Sequence, residues 1–271
     1  MELFNIAVVT GASSGLGRRY VSLLDPEGLD QIWLIARRKD RLFSLSNEIS
    51  TPVKLLSLDL KDQESIEIYK NELSEEKNTL EKEKSLKLNI KFLINAAGYG
   101  RIGKSGEIPV RDLDGMIMLN CKAAVDITEL SLPYMSRGSH IMEICSVAGF
   151  KPLQYFNVYS ASKAFLLRYS RSLGRELFPQ RITVTAVCPY WMKETEFIGK
   201  AEETEYNSGR KKYVKGFFLP AHMNSTASLS LRDAKAGFPV STPSIFGTLF
   251  RIFSFLPDTI FLGLWDILRH L

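Results

Sequence analysis

The stretch Asn5-Ile-Ala-Val-Val-Thr-Gly-Ala-Ser-Ser-Gly-Leu-Gly17 decides the fold. Its first half is a short apolar run with β-branched residues, which predicts a strand buried on both faces. Its second half is glycine-rich and leads into a helix-like segment, so the chain turns tightly and presents free N–H groups at a helix N-terminus. Such a turn favours a pyrophosphate and predicts dinucleotide binding, and the alternative is a glycine-rich turn without a ligand.

Each glycine of this loop has its own expected task. Gly11 permits the tight turn, Gly15 lets the backbone approach the pyrophosphate, and Gly17 lets the helix pack closely on the strand. We therefore expect the loop to contact the cofactor through Gly11, Ser13, Ser14, Gly15, Leu16 and Gly17.

The rest of the chain alternates between short apolar runs and amphipathic segments. The apolar runs are residues 32–35, 53–58, 92–94, 141–144 and 182–187, and the helix-like segments are 15–24, 39–49, 63–84, 110–135 and 159–178. This alternation predicts right-handed crossovers and an α/β fold of the Rossmann type, a doubly wound parallel sheet. We expect one domain over residues 1–240, with a substrate lid at about 190–222, and an apolar amphipathic C-terminal extension over 241–271.

Composition excludes several classes of protein. The chain has 271 residues, of which 45% are hydrophobic and 24% charged, as in an ordinary globular domain. A net charge of +5, spread along the chain, does not indicate nucleic-acid binding. Three cysteines without a CxxC pair argue against a disulfide scaffold and a zinc site and favour the cytoplasm. The N-terminal pattern predicts a strand rather than a secretory signal, and no apolar run reaches the roughly 20 residues that span a bilayer.

The residues at the end of the second predicted strand indicate which cofactor the chain binds. An NAD-binding unit carries an acid there to hold the ribose 2′-hydroxyl, but this chain has Ala36 followed by Arg37 and Arg38. Two guanidiniums without a carboxylate suit a 2′-phosphate, and the hydroxyl of Ser13 could contact the same phosphate. We predict NADP(H) rather than NAD(H), and the alternative is that both arginines are solvated surface charges.

A tyrosine and a lysine share one helix face in Tyr159-Ser-Ala-Ser-Lys163. A phenol, with a pKa of about 10, is a poor base at neutral pH, and a neighbouring ammonium makes proton exchange with a substrate oxygen practical. Ser146 ends the fifth predicted strand, and Asn120 lies in the helix after Asn95-Ala-Ala-Gly98. Because ligands bind at the carboxyl ends of strands in open parallel sheets, we expect these groups to share a site.

These motifs together resemble the short-chain dehydrogenase/reductase family over about residues 5–195, with TGxxxGxG, NAAG, Asn, Ser and YxxxK in order. The resemblance implies that Tyr159 is the general acid/base, that Lys163 lowers its pKa and binds the nicotinamide ribose, and that Ser146 orients the substrate oxygen. It implies that Asn120 holds a water in a proton relay. The further cofactor contacts that it implies are Asp59 and Leu60 at the adenine and Asn95, Ala96, Ala97 and Gly98 along the cleft.

One motif departs from the family pattern after the sixth predicted strand. The family has Pro-Gly-x-x-x-Thr, whereas here Pro189 is followed by Tyr190, and Thr195 stands one residue late. We expect Pro189 and Thr195 to contact the nicotinamide from a shifted loop.

Aromatic residues are concentrated in the predicted lid and just before Tyr159. Among them, Tyr155 and Trp191 are expected at the substrate together with Ser146 and Tyr159. The aromatic residues of these segments are Tyr155, Phe156, Tyr190, Trp191, Phe197, Tyr206, Tyr213, Phe217 and Phe218. They favour a bulky apolar substrate, steroid-like or fatty, and the alternative is that they pack the lid onto the core.

The extension over 241–271 is apolar but interrupted by Arg251, Asp258, Asp266 and Arg269, so it does not cross a bilayer. We weigh three roles for it, in decreasing order: an amphipathic hairpin that covers the substrate pocket, a dimer contact, and a membrane-surface anchor. Each role would bury its apolar residues.

The combined hypothesis is an NADP(H)-dependent oxidoreductase that interconverts a ketone and a secondary alcohol on a bulky apolar substrate. A β-ketoacyl thioester reductase and a non-catalytic NADP(H) sensor are the alternatives. The resemblance also implies a homodimer or homotetramer, without choosing between them.

Overall fold

A parallel sheet forms the centre of the molecule. Its strands are β1 (Glu2–Thr10), β2 (Gln31–Ala36), β3 (Val53–Ser57), β4 (Leu86–Asn95), β5 (His140–Ile144), β6 (Thr183–Val187) and β7 (Val240–Ser241). The computed structural model describes residues 1–192, 194–202, 213–214 and 219–269, and in these the sheet has seven strands in the order β3-β2-β1-β4-β5-β6-β7. The strand order reverses between β1 and β4, which opens a cleft at the carboxyl ends of the strands.

Helices cover both faces of this sheet. They are α1 (Gly15–Leu24), α2 (Lys39–Ser46), α3 (Gln63–Glu83), α4 (Val110–Ile117), α5 (Ala124–Ser131), α6 (Asn157–Leu177), α7 (Phe197–Glu202), α8 (Met223–Lys235), α9 (Ile245–Phe253) and α10 (Asp258–Leu268). The core on one face is built with α1, α2 and α8, and the core on the other face with α3, α5 and α6. The chain is therefore the single-domain, doubly wound α/β fold that the sequence predicts.

Strand β7 differs from the prediction. Its two residues, Val240 and Ser241, are too short a run to be recognised as a strand in the sequence. Ser241 pairs with Val187 of β6, so the expected boundary between residues 240 and 241 falls inside a strand of the sheet.

The predicted helix over 110–135 is also divided. A π-helical turn, Met118–Ala123, separates α4 from α5, and a 3-10 turn, Leu132–Tyr134, follows α5. Amphipathic spacing does not reveal such a turn, because the chain remains helical through it.

Helices α9 and α10 pack against the carboxyl edge of the sheet. Phe261 and Trp265 are buried in a cluster that also contains Phe156 and Tyr159. Lys151 holds the turn between the two helices, since its Nζ donates to the carbonyl oxygen of Leu256 at 2.8 Å. The hairpin is thus part of the structure around the cleft.

Part of the predicted lid is not described. Tyr206, Phe217 and Phe218 lie outside the described residues. Within the part of the chain that the structure describes, no helix combines the length and the apolar character needed to cross a membrane.

Candidate active site

Close backbone contacts leave no room for a side chain at two positions of the glycine loop, Gly11 and Gly17. Gly11 has φ +66°, and a Cβ there would lie 2.8 Å from the backbone of Ala96. A Cβ at Gly17 would lie 2.3 Å from the carbonyl oxygen of Gly11. Strands β1 and β4 and helix α1 therefore meet closely, and α1 begins at Gly15, on the cleft.

One cavity of about 970 Å³ extends from this loop along the edge of the sheet to α6. The predicted cofactor contacts that line it are Gly11, Ser13, Ser14, Gly15, Leu16, Gly17, Arg37, Arg38, Asp59, Leu60, Ala96, Ala97, Gly98, Tyr159, Lys163, Pro189 and Thr195. A helix N-terminus and guanidiniums lie at one end of this lining, and a tyrosine and a lysine lie farther along it. The residues present fit a nicotinamide dinucleotide, because Gly15 carries no side chain and leaves the N–H groups at the start of α1 open to a pyrophosphate.

Arg37 and Arg38 have different partners. The Nη2 of Arg38 donates to the hydroxyl oxygens of Ser13 at 3.1 Å and Ser14 at 2.9 Å. Arg37 is 64% exposed and lies 3.5 Å from the carboxylate of Asp59. Arg38 is therefore the arginine that the glycine loop holds in place.

Tyr159, Lys163 and Ser146 meet at the inner part of the cavity. Tyr159 and Lys163 project from α6 and are buried, and the Lys163 Nζ lies 5.9 Å from the centre of the Tyr159 ring. The side chain of Ser146 lies beside the hydroxyl of Tyr159. The Oγ of Ser146 accepts a hydrogen bond of 3.1 Å from the N–H of Ala148, which fixes the serine at the end of β5.

Burial governs the protonation of the Tyr159–Lys163 pair. It raises the pKa of Tyr159 above the ordinary value for a phenol, and the neighbouring Ser146 side chain opposes this only in part. Burial also lowers the pKa of Lys163. Burial thus favours the neutral form of both side chains, and a lowering of the Tyr159 pKa by Lys163 remains a prediction.

Asn120 lies in the π-helical turn, fully buried. Its Oδ1 accepts from the N–H of Tyr99 at 3.0 Å, and its Nδ2 donates to the Tyr99 carbonyl oxygen at 2.9 Å and to Ser162 at 3.1 Å. A Cβ on Gly98 would lie 3.0 Å from Asn120 Oδ1 and 3.4 Å from Lys163 Nζ, so the two side chains flank Gly98. Asn120 thereby joins the strand-end loop to α6, and the relay water remains a prediction.

Asn95 lies behind the cleft and does not line it, which corrects the expectation. Its Nδ2 donates to Thr128 and to Glu143 at 2.8 Å each. The side chain therefore connects β4, β5 and α5 within the core, while the three residues after it reach the cavity.

Tyr155 is a second correction, because it does not line the catalytic cavity. Its φ of +68° is unusual for a residue with a side chain. The ring stacks on Tyr213 with centres 4.7 Å apart, and the guanidinium of Arg269 lies 4.7 Å from its centre. Sequence spacing cannot predict this orientation, since the partners lie far along the chain.

An apolar wall closes the cavity beyond Tyr159. The C-terminal hairpin contributes Phe250, Phe253, Phe261, Leu264, Trp265 and Ile267. Trp191 and Phe197 also line this part, and the rings of Phe197 and Tyr159 have centres 5.2 Å apart. The hairpin therefore lines the cavity, and its role as a cover of the substrate pocket remains a prediction.

Glu196 is a cavity residue that the sequence analysis missed. Its carboxylate lies 3.2 Å from Arg38 and 2.7 Å from Arg41. An isolated acid after Thr195 carries no signal of these contacts, because the two arginines lie 158 and 155 residues earlier.

The family of the chain follows from comparison with known proteins. The family model described as short chain dehydrogenase matches residues 5–206. The chain belongs to the short-chain dehydrogenase family. It is therefore an oxidoreductase that acts on CH–OH and C=O groups, and the family binds nicotinamide cofactors.

Several relatives of this short-chain dehydrogenase are informative. An uncharacterized oxidoreductase of Staphylococcus epidermidis is 29% identical over 225 residues, which cover 81% of this chain and 93% of the relative. A very-long-chain 3-oxoacyl-CoA reductase of Aspergillus terreus is 33% identical over 212 residues, which cover 73% of this chain and 55% of that protein. A short-chain dehydrogenase of Sphingobium yanoikuyae, solved in complex with NADPH, superposes with a TM-score of 0.71 at 26% identity, covering 90% of this chain and 88% of the other.

Proposed function

We propose that this short-chain dehydrogenase is an NADP(H)-dependent enzyme that interconverts a ketone and a secondary alcohol on a bulky apolar substrate. One observation carries the proposal: a single cavity has Arg38 and the glycine loop at one end, Tyr159 in its middle and the apolar hairpin at the other end. Cofactor and substrate bound along this cavity would meet beside Tyr159.

The proton chemistry belongs to Tyr159. Its hydroxyl lies beside the side chain of Ser146, so a substrate oxygen that contacts these two groups receives or returns a proton at the phenol oxygen. A bound nicotinamide ring supplies or accepts the hydride. Lys163, fixed by its bond to Ile144, places a positive charge that favours the phenolate during the transfer.

The preference for NADP(H) is supported at Arg38. The hydroxyls of Ser13 and Ser14 orient its guanidinium, which binds phosphate in a bidentate manner. No carboxylate stands at Ala36, where an NAD enzyme holds the 2′-hydroxyl. The related structure from Sphingobium yanoikuyae contains NADPH, which also supports a preference for NADP(H).

The substrate preference is supported by the hairpin. Phe261 and Trp265 are buried beside Tyr159, and a site lined by aromatic rings binds apolar groups well. We propose that Ser146, Tyr159 and Trp191 contact the substrate and that Tyr155 does not. Asn120 acts as a positioning residue through Tyr99 and Ser162.

A second candidate is the reduction of a β-ketoacyl thioester. It is favoured by the relative from Aspergillus terreus, whose name is very-long-chain 3-oxoacyl-CoA reductase. A long acyl chain would suit the same apolar wall.

The experiment that tests the function is a panel of carbonyl substrates followed by NADPH absorbance. A decalone or steroid ketone should be reduced with a higher kcat/KM than acetoacetyl thioester, and NADPH should be used in preference to NADH. A higher kcat/KM for the thioester would establish the second candidate instead. Equal turnover with NADH would reject the NADP(H) assignment, and no turnover with cofactor binding retained would indicate a sensor.

The organisation of the chain is part of the proposal. We propose a core over residues 1–240 whose lid spans about 190–222, with the extension over 241–271 as a pocket cover. The free, buried thiols Cys121, Cys145 and Cys188 suit the reducing cytoplasm.

Exposed apolar side chains support self-association. On α4, the π-helical turn and α6 these are Val110, Ile117, Met118 and Phe165. We propose that they contact a second copy of the chain in a homodimer or homotetramer, and light scattering would measure the number of chains in the assembly.

The hairpin also exposes apolar side chains, which are Ile245, Ile252, Phe255 and Ile260. Cosedimentation with vesicles tests whether this surface contacts a membrane.

A further inference from the structure

The segment Thr195-Glu196-Phe197, which we call the strap, crosses the cavity. A Cβ on Gly15 would lie 3.9 Å from the Cγ2 of Thr195, so the strap begins beside the glycine loop. Phe197 reaches the ring of Tyr159, with centres 5.2 Å apart. Between them, the carboxylate of Glu196 contacts Arg38, which follows β2, and Arg41 of α2.

Glu196 lies among three cations. One carboxylate oxygen is 2.7 Å from Nη1 of Arg41, and the other is 3.2 Å from Nη1 of Arg38 and also bonded to Nζ of Lys200. These bonds lower the pKa of Glu196 to about 2, so the side chain is an anion at neutral pH. The side chain is 44% exposed, so a ligand can reach it.

The guanidinium of Arg38 is shared between two sets of acceptors. Its Nη2 donates to Ser13 and Ser14, while its Nη1 donates to Glu196. A 2′-phosphate that approaches Arg38 therefore meets a carboxylate already bonded to the same group. Two anions at one guanidinium repel each other. The phosphate therefore forms its full set of hydrogen bonds with Arg38 only when the carboxylate of Glu196 moves away.

We propose that Glu196 is a specificity-determining residue whose carboxylate competes with the 2′-phosphate of NADP(H) for Arg38. The proposal rests on the proposed function, in which Arg38 binds that phosphate. NAD(H) has no 2′-phosphate and does not enter this competition. Glu196 therefore reduces the advantage that Arg38 gives to NADP(H) and narrows the difference between the two cofactors.

The test compares Glu196→Gln with Glu194→Gln by fluorescence titration of NADPH and NADH. Both substitutions remove one negative charge from the same surface segment. Glu194 is the matched control, because its carboxylate contacts His222 and the N–H of Met223 rather than an arginine. Any general effect of charge on an anionic cofactor then appears in both variants.

We expect Glu196→Gln to lower the Kd of NADPH about three- to tenfold and that of NADH less than about twofold, because exposed ion pairs contribute modestly. Glu194→Gln should change neither Kd by more than about twofold. An unchanged NADPH Kd in Glu196→Gln, an equal gain for NADH, or an equal gain in Glu194→Gln would overturn the inference. The variant Arg38→Ala tests the proposed function separately, since an NADPH Kd that stays unchanged in it would reject the role of Arg38 in binding phosphate.

Discussion

The Nζ of Lys163 donates a 2.7 Å hydrogen bond to the carbonyl oxygen of Ile144. This bond ties helix α6 to the last residue of strand β5, two positions before Ser146. The lysine is therefore held by the sheet itself rather than by a flexible loop. Tyr159, one turn earlier on α6, is placed beside Ser146 by the same arrangement.

The tight turn at Gly11 predicts a large loss of stability for Gly11→Ala. The added methyl would meet the backbone of Ala96 at 2.8 Å, at a φ of +66°. Gly28 is the matched control, with φ +69° and no atom within 4 Å of an added Cβ. We expect Gly28→Ala to cost about 1–2 kcal/mol from backbone strain and Gly11→Ala at least about 2 kcal/mol more, measured by urea unfolding. Equal losses would show that β4 does not constrain the loop.

The different partners of Arg38 and Arg37 predict unequal roles in cofactor binding. Arg38→Ala should raise the KM of NADPH about tenfold or more and change the KM of NADH little. The reason is that the 2′-phosphate is the only group of the cofactor that the Arg38 guanidinium would contact. Arg37→Ala should have a smaller effect, since Arg37 is 64% exposed and lies near Asp59. Steady-state kinetics with both cofactors measure this, and an equal effect of the two substitutions would contradict the assignment.

Glu143 predicts a dependence of stability on pH. Its carboxyl is fully buried within β5, and burial raises its pKa from 4.5 to about 7. The folded state therefore holds this proton more tightly than the unfolded state, and the carboxyl reduces stability progressively as the pH rises between 4.5 and about 7. Glu143→Gln removes this titration and keeps an oxygen that accepts from Asn95 and Thr128.

We expect Glu143→Gln to be more stable than the wild type by about 1–3 kcal/mol near pH 8 and by much less near pH 5. Urea unfolding at both pH values measures the difference, and Glu67→Gln, on an exposed side chain, is the control. A difference that does not change with pH would mean that Glu143 does not titrate in this range.

The apolar wall predicts an effect of the hairpin on substrate binding. Trp265→Ala should raise the KM for a bulky ketone about tenfold, because a buried ring that lines the cavity is lost. Phe255→Ala is the control, since Phe255 is 88% exposed and is not part of the lining. The Kd of NADPH should stay unchanged in both variants, and an equal KM effect would show that the hairpin acts only through general packing.

Much of the fold is predictable from local patterns. The strand before Gly11 and the helix after Gly17 follow from an apolar run and a glycine loop, which are encoded by neighbouring residues. Strand β7 is not predictable in this way, because its two residues form a strand only through pairing with β6.

The candidate site likewise has some features that local sequence predicts and others that depend on tertiary contacts. Tyr159 and Lys163 share a helix face by spacing alone, whereas the orientations of Asn95 and Tyr155 depend on distant partners. The contact of Glu196 with Arg38 joins residues 158 positions apart and has no local signature. Motif spacing therefore places the chemical groups, and tertiary packing decides which of them face the cavity.

The central claim is that Tyr159 transfers the proton in a reaction with NADP(H). Tyr159→Phe removes the hydroxyl and keeps the ring that packs against Phe156 and Phe197. Single-turnover oxidation of NADPH with the preferred ketone should slow by about 10²-fold or more, while the Kd of NADPH stays within about twofold of the wild type. An unchanged rate with normal cofactor binding would contradict the account.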